Sequence, residues 1–159
     1  MANNLELNDA EISFKLATEA DTETLVNFIR KYYEFDHIPF HEEEIRSGLP
    51  VFLRDDSFGR SWLVLLRGQL VGYTILTYGY DLELGGRLAT ITDLYFEPEY
   101  RGKGLGRRTL NHIEDFCRSS GVLALELRVE RNNPRAFTLY KSFGFGVHDR
   151  IPMSKRIMS

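Results

Sequence analysis

The run Tyr100-Arg101-Gly102-Lys103-Gly104-Leu105-Gly106-Arg107 lies between a stretch of strand character and one of helical spacing. Its backbone N–H groups and the positive end of the helix would therefore converge on one point, which is where an anion binds. Gly102, Gly104 and Gly106 let the backbone approach a diphosphate with no Cβ in the way, and Arg101, Lys103, Arg107 and Arg108 add charge. A Walker A loop does not fit, because Glu97 stands where its first Gly is needed and Gly104 where it needs Ser or Thr. The dinucleotide fingerprint G-x-G-x-x-G fails as well, with Thr109 at its last position. Metal chemistry finds no support in the spacing of His and acidic residues, so no metal is expected. His37 and His41 read as polar loop residues. Cys117 reads as a small apolar filler on a helix face and not as a nucleophile.

The elements that would carry this loop follow from periodicity. Ile12 to Leu16 alternates as a strand, and Asp21 can cap a helix with Leu25, Phe28, Ile29 and Tyr32 on one face. Tyr33 to Phe40 reads as a loop and Glu42 to Gly48 as a short helix. Ser61 to Leu66 and Leu70 to Leu76 form a hairpin about Arg67-Gly68-Gln69, and Arg87 to Phe96 is a further strand. After the glycine loop comes a helix with Leu110, Ile113, Phe116 and Cys117 inward, ending at Gly121. Leu123 to Val129 alternates as a strand, and Asn133-Pro134 opens a helix that stops at Gly144. Phe145 to about Ile157 suggests closing strands. That order describes a mixed α/β layered fold with no internal repeat.

The 159 residues correspond to one domain, and 43% hydrophobic with 27% charged residues is the composition of a globular chain. The longest apolar runs, such as Trp62 to Leu66, are far below the ~20 residues of a membrane span, and no leader pattern opens the chain. With one cysteine the expected location is the cytoplasm, without membrane association. A net charge of −3 argues against nucleic-acid binding. The charge is uneven: from Met1 to Glu99 there are 18 acids and 8 bases, and from Tyr100 onward 5 acids and 12 bases. Two different clients are implied.

R-x-x-G-x-G after a strand resembles the acetyl-CoA signature of the Gcn5-related N-acetyltransferases (GNAT). A second hallmark, N-x-x-A-x-x-x-Y-x-x-x-G-F, appears as Asn133, Ala136, Tyr140, Gly144 and Phe145. The match is strong over Ala89 to Val147 and only architectural over Ile12 to Leu76. The resemblance implies a single GNAT domain over 1–159, with its core at about 12–157. It also implies a mixed, mostly antiparallel sheet whose central parallel strands splay apart, flanked by helices.

By the same resemblance the activity is transfer of acetyl from acetyl-CoA to a primary amine, by direct attack in a ternary complex. The diphosphate would lie on Arg101, Gly102, Lys103, Gly104, Leu105, Gly106 and Arg107. Backbone groups of Leu94, Tyr95 and Phe96 would pair with the pantetheine arm as an added strand, and Asn133 would touch that arm or simply cap its helix. An amine of pKa near 10.4 is neutral in only about one molecule in a few thousand at pH 7, so a proton acceptor helps. Asp93 is the candidate, as base or as an anchor for the cation. Because it alternates with Ile91 and Tyr95 on one strand face, it could equally serve a salt bridge. The N–H of Leu94, freed at a bulge, would stabilise charge on the thioester oxygen. Tyr140 would give a proton to the leaving thiolate, although its spacing from Ala136 also suits a core aromatic.

The acceptor side in this family is the N-terminal half, where Tyr33, Phe35, Asp36 and Phe40 mix aromatic faces with carboxylates. That mixture suits a small cationic amine or a peptide amine. The alternative is that Tyr32 and Phe40 are buried where the first helices meet the sheet. Two other functions remain open: a non-catalytic acyl-CoA binder or sensor, and an acyltransferase using another acyl chain or a hydroxyl acceptor. The family also admits a homodimer, but nothing in the sequence locates an interface.

Overall fold

The computed structural model describes residues 8–158. Five strands lie in the order β1 to β5: β1 (Ile12–Leu16), β2 (Gly59–Leu66), β3 (Gln69–Asp81), β4 (Gly86–Phe96) and β5 (Ala124–Leu127). The first four pair antiparallel, and β5 joins β4 in parallel from Leu88↔Ala124 to Ile91↔Leu127. The helices are α1 (Thr22–Phe35), α2 (Glu42–Arg54), α3 (Leu105–Ser119) and α4 (Pro134–Phe143). Among the described residues no helix is long and apolar enough to cross a membrane.

Burial on both faces of β2 and β3 makes the sheet the middle of three layers. One face packs Leu63, Tyr73, Ile75 and Tyr95 against Leu25, Phe28 and Ile29 of α1 and Leu49 of α2. The other packs Trp62, Leu76, Ala89 and Ile91 against Leu110, Ile113 and Cys117 of α3. A one-residue bulge decides which side chains of β4 see which layer. Ile75 is opposite Asp93 and Leu76 is opposite Ile91, so Thr92 is the extra residue. Strict alternation would put Ile91, Asp93 and Tyr95 on one face. Because the bulge shifts the phase, Ile91 faces α3 while Tyr95 faces α1 and Asp93 meets Tyr73.

Several boundaries differ from those the sequence suggests. Helix α1 runs to Phe35, so Tyr33 and Phe35 are helical and the loop starts at Asp36. Asp21 does not cap α1 with its side chain. Its carboxylate turns back to the Thr18 N–H (2.9 Å) and to Lys15 (2.6 Å). Helix α2 continues through Gly48 and Pro50 to Arg54, although a proline inside a helix costs about 3 kcal/mol. Burial of Leu49, with Phe52 and Leu53 partly covered, favours continuation. Strand β5 stops at Leu127 and not at Val129, since its chain leaves β4 there.

The closing strands expected from Phe145 to Ile157 do not form among the described residues. Gly146 and Pro152 interrupt that stretch, and proline cannot donate to a ladder. Ile151, Met153 and Ile157 stay exposed, while Arg156 pairs with Glu44 of α2 at 3.2 Å.

Candidate active site

Where β5 turns away, residues 92–96 of β4 keep an open edge, and a cleft of about 630 Å³ fills the wedge. That size suits a substrate of a few tens of atoms. One wall is Tyr32, Phe35, Asp36 and Ile38 of α1 and its following loop, and the opposite wall is Leu127 to Glu130 with Asn133, Leu139 and Tyr140. The glycine loop closes one end. The acidic and basic halves of the chain thus meet across the cleft.

The loop has the properties an anion requires. Gly102 and Gly104 hold φ of +76° and +79°, the left-handed region that L side chains avoid. A Cβ on Gly102 would come within 2.7 Å of the Arg135 guanidinium, and one on Gly106 within 2.9 Å of Leu139. Helix α3 can thereby approach α4 closely. Its first internal bond is Arg108 N–H to Gly104 O (3.2 Å), which leaves the N–H groups of Leu105, Gly106 and Arg107 without helical acceptors. No acid occupies that first turn. A diphosphate fits these donors, and an extended arm fits the free edge at Leu94, Tyr95 and Phe96.

The sequence-designated residues do not all reach the cleft. Leu94, Tyr95, Phe96, Arg101, Gly102, Gly104, Leu105, Gly106, Arg107, Asn133, Tyr140, Phe35 and Asp36 line it. Lys103 lies outside, with its ammonium 5.2 Å from the Tyr100 ring centroid. Tyr33 and Phe40 pack edge to face at 6.3 Å against the α1 core, so they stabilise the wall without facing the cleft. Asn133 Oδ1 accepts from the Ala136 N–H at 3.1 Å, and Asn133 still borders the cleft.

Asp93 is 6% exposed and is not part of the lining. Its Oδ2 accepts from Tyr73 Oη at 2.6 Å, and burial pushes its carboxyl above the ordinary value of 3.8 against the opposing effect of that bond. The Tyr73 phenol is pushed well up by the same burial and by Asp93. Asp36 and Glu130 are the carboxylates on the cleft walls, Asp36 on the α1 side. Burial, first of all, and then the charge of Asp36 raise the Tyr32 phenol. The Tyr140 phenol is pushed up to about 12, first by burial and then by the charge of Asp36, so it keeps its proton at neutral pH. The site therefore offers a protonated donor, Tyr140, on the wall facing the Asp36 side chain.

Sequence reasoning left Arg135 and Leu139 out of the site and did not single out Tyr32 and Ile38 within the acceptor loop. Tyr32 is one turn before Asp36, a relation that appears only once α1 is carried through to Phe35. The Tyr73–Asp93 bond joins two strands by register, for which single-sequence spacing gives no signal.

Comparison with known proteins places these features. The profile described as Acetyltransferase (GNAT) family matches residues 22–145. The thialysine N-epsilon-acetyltransferase of Bos taurus is 27% identical over 152 residues, covering 85% of this chain and 84% of that protein. The spermidine N(1)-acetyltransferase of Thermoplasma acidophilum is 29% identical over 143 residues, covering 85% and 88%. A predicted acetyltransferase of Clostridium acetobutylicum, solved with acetyl-CoA, superimposes with a TM-score of 0.78 at 17% identity, over 91% of this chain and 96% of that one.

Proposed function

The chain belongs to the acetyltransferase (GNAT) family and is an acyltransferase that acetylates amines, and we propose that its acceptor is a small cationic primary amine held against Asp36. The observation that carries this reading is the single cleft in which the glycine loop, the free edge of β4, the Tyr140 phenol and the Asp36 carboxylate all meet. The relatives named for thialysine and spermidine act on small amines of this kind, which supports the same class here. The family match over most of the chain supports one acetyltransferase unit.

Acetyl-CoA, when bound, supplies acetyl as an activated thioester. The N–H groups from Gly102 to Arg107 receive its diphosphate, with Arg107 and Arg135 adding positive charge at the cleft. Backbone groups of Leu94 to Phe96 hold the arm along β4, and Asn133 orients it from the other wall. Asp36 draws in the ammonium group from the cleft wall it shares with Tyr32. The ammonium gives up one proton to solvent, and the neutral amine held beside Asp36 attacks the thioester carbon; its second proton leaves as the C–S bond breaks and replaces the one Tyr140 passes to sulfur. The Leu94 N–H stabilises the charge that gathers on the carbonyl oxygen. Tyr140 donates to the departing sulfur, whose thiol form has a pKa near 8.5, and so sets the thiolate free at lower energy. Asp93 holds the Tyr73 phenol behind the site and does not touch the acceptor.

The test is release of CoA thiol by the purified protein with acetyl-CoA and a panel of diamines, spermidine, lysine derivatives and short peptides. Product masses should increase by one acetyl group on a primary amine. Affinity for the coenzyme without transfer to any amine would favour a binder, and transfer to alcohols alone would favour the hydroxyl acceptor.

A further inference from the structure

Arg101 opens the glycine loop, where its charge would be expected to serve a phosphate. The side chain instead turns toward the acceptor wall. Its Nε donates to Phe96 O at 2.9 Å, and its Cζ is 4.2 Å from the Phe35 ring centroid and 5.2 Å from that of Tyr95. Phe35 is the last residue of α1 and is 50% exposed, so the guanidinium covers a ring that otherwise faces solvent. Asp36 follows directly. The loop beyond it is closed by the Asp36 N–H on Tyr32 O (2.9 Å) and the Ile38 N–H on Tyr33 O (2.8 Å), about a left-handed His37 at φ +55°. One turn earlier, Lys31 forms an ion pair with Glu97, at the start of the segment that leads into Arg101. Both ties join the last turns of α1 to the same stretch of chain.

We infer that Arg101 is a positioning residue for the acceptor, fastening the end of α1, and with it Asp36, to the loop that holds the coenzyme's diphosphate. This inference rests on the assignment of Asp36 to the acceptor. A planar guanidinium performs the task because it can donate through Nε in its own plane while lying over an aromatic face. Donor loop and acceptor wall then form one unit, and loosening the tie disturbs the amine without disturbing the coenzyme.

Three measurements on the full chain decide it: coenzyme A affinity by calorimetry, kinetics with the panel amine that the unaltered enzyme acetylates fastest, and amide hydrogen exchange at Asp36 and Ile38. Arg101→Gln should lower kcat/KM for that amine roughly tenfold, the worth of a partly desolvated cation–aromatic contact. It should speed exchange at both amides and change coenzyme affinity by less than about twofold, a difference well under one contact's worth. Phe35→Leu, which keeps Arg101, should reproduce the kinetic loss, and the double variant should be no worse than either single one. Arg101→Lys should not restore the amine kinetics. The inference is overturned if Arg101→Gln weakens coenzyme binding about tenfold or more, as loss of a charged phosphate contact would. Unchanged exchange at Asp36 and Ile38, or normal amine kinetics in Phe35→Leu, would overturn it equally. Should the unaltered enzyme acetylate no amine, the acceptor assignment fails, while the exchange and calorimetry results still decide whether Arg101 fastens α1.

Discussion

Replacing Asp36 by Asn removes one charge from the cleft wall and little else, since the side-chain volume is nearly unchanged. An ammonium about 4 Å from a carboxylate gains roughly 4 kcal/mol at the effective dielectric of a protein surface. Asp36 is only partly buried, so solvent reduces that gain. A hydrogen bond to a charged group is worth about 1.5–3 kcal/mol net. Since each 1.4 kcal/mol is about tenfold in rate, Asp36→Asn should lower kcat/KM for a cationic amine by roughly 10- to 100-fold. Coenzyme affinity should stay the same. Burial, the main cause of the raised Tyr140 pKa, is unaltered, so that phenol remains a donor and its step is preserved. The assay is thiol release across amine concentrations at two ionic strengths, and the unaltered enzyme should lose more at high salt than the variant does. If Asp36→Asn retains kcat/KM within about twofold, a change too small for a lost charged contact, the charge of Asp36 does not hold the acceptor.

Tyr140→Phe should reduce kcat by about 100-fold, the low end for loss of a general acid, with coenzyme affinity unchanged; an equal loss of affinity would make Tyr140 a packing residue. Asp93 has a folded pKa above its unfolded value of 3.8. The folded protein therefore holds more protons than the unfolded chain once pH exceeds that value, and stability falls as pH rises until the folded pKa is passed. Asp93→Asn should remove this decline, and denaturant titrations at a series of pH values would detect it; a variant that loses ground to the parent as pH rises contradicts the sign. Exposed Ile151 and Met153 carry no packing, so replacing each by Ser should change stability by less than about 0.5 kcal/mol in thermal unfolding. A loss of about 2 kcal/mol would mean that both are buried.

The two motifs were legible because their chemistry is local. Gly102, Gly104 and Gly106 lie within one turn of chain, and Asn133, Ala136 and Tyr140 share one helix face, so the family motif, and not the spacing alone, marked them for the cleft they line and distinguished Tyr140 from a core aromatic. The helices were legible for the same reason, through the apolar period of α1 and α3. What spacing could not convey was anything set between elements. The bulge at Thr92 adds a single residue to β4 and so turns Asp93 away from Ile91 toward Tyr73, a shift fixed by pairing with β3. The fate of Arg101 is similar. Its position in the motif suggests a phosphate, but the end of α1 supplies an aromatic ring at 4.2 Å. Gly48 and Pro50 signalled a helix end that the burial of Leu49 overrode. Beyond Phe145 the expected closing strands do not form among the described residues, where Gly146 and Pro152 interrupt the stretch.

A crystal structure of the protein soaked with coenzyme A tests the central claim most directly. The diphosphate should lie against the N–H groups of Gly102 to Arg107, with the arm along Leu94 to Phe96 and the sulfur within hydrogen-bonding distance of the Tyr140 hydroxyl. Density for the coenzyme in any other place, or a sulfur on the far side of β4 from Tyr140, would contradict the account.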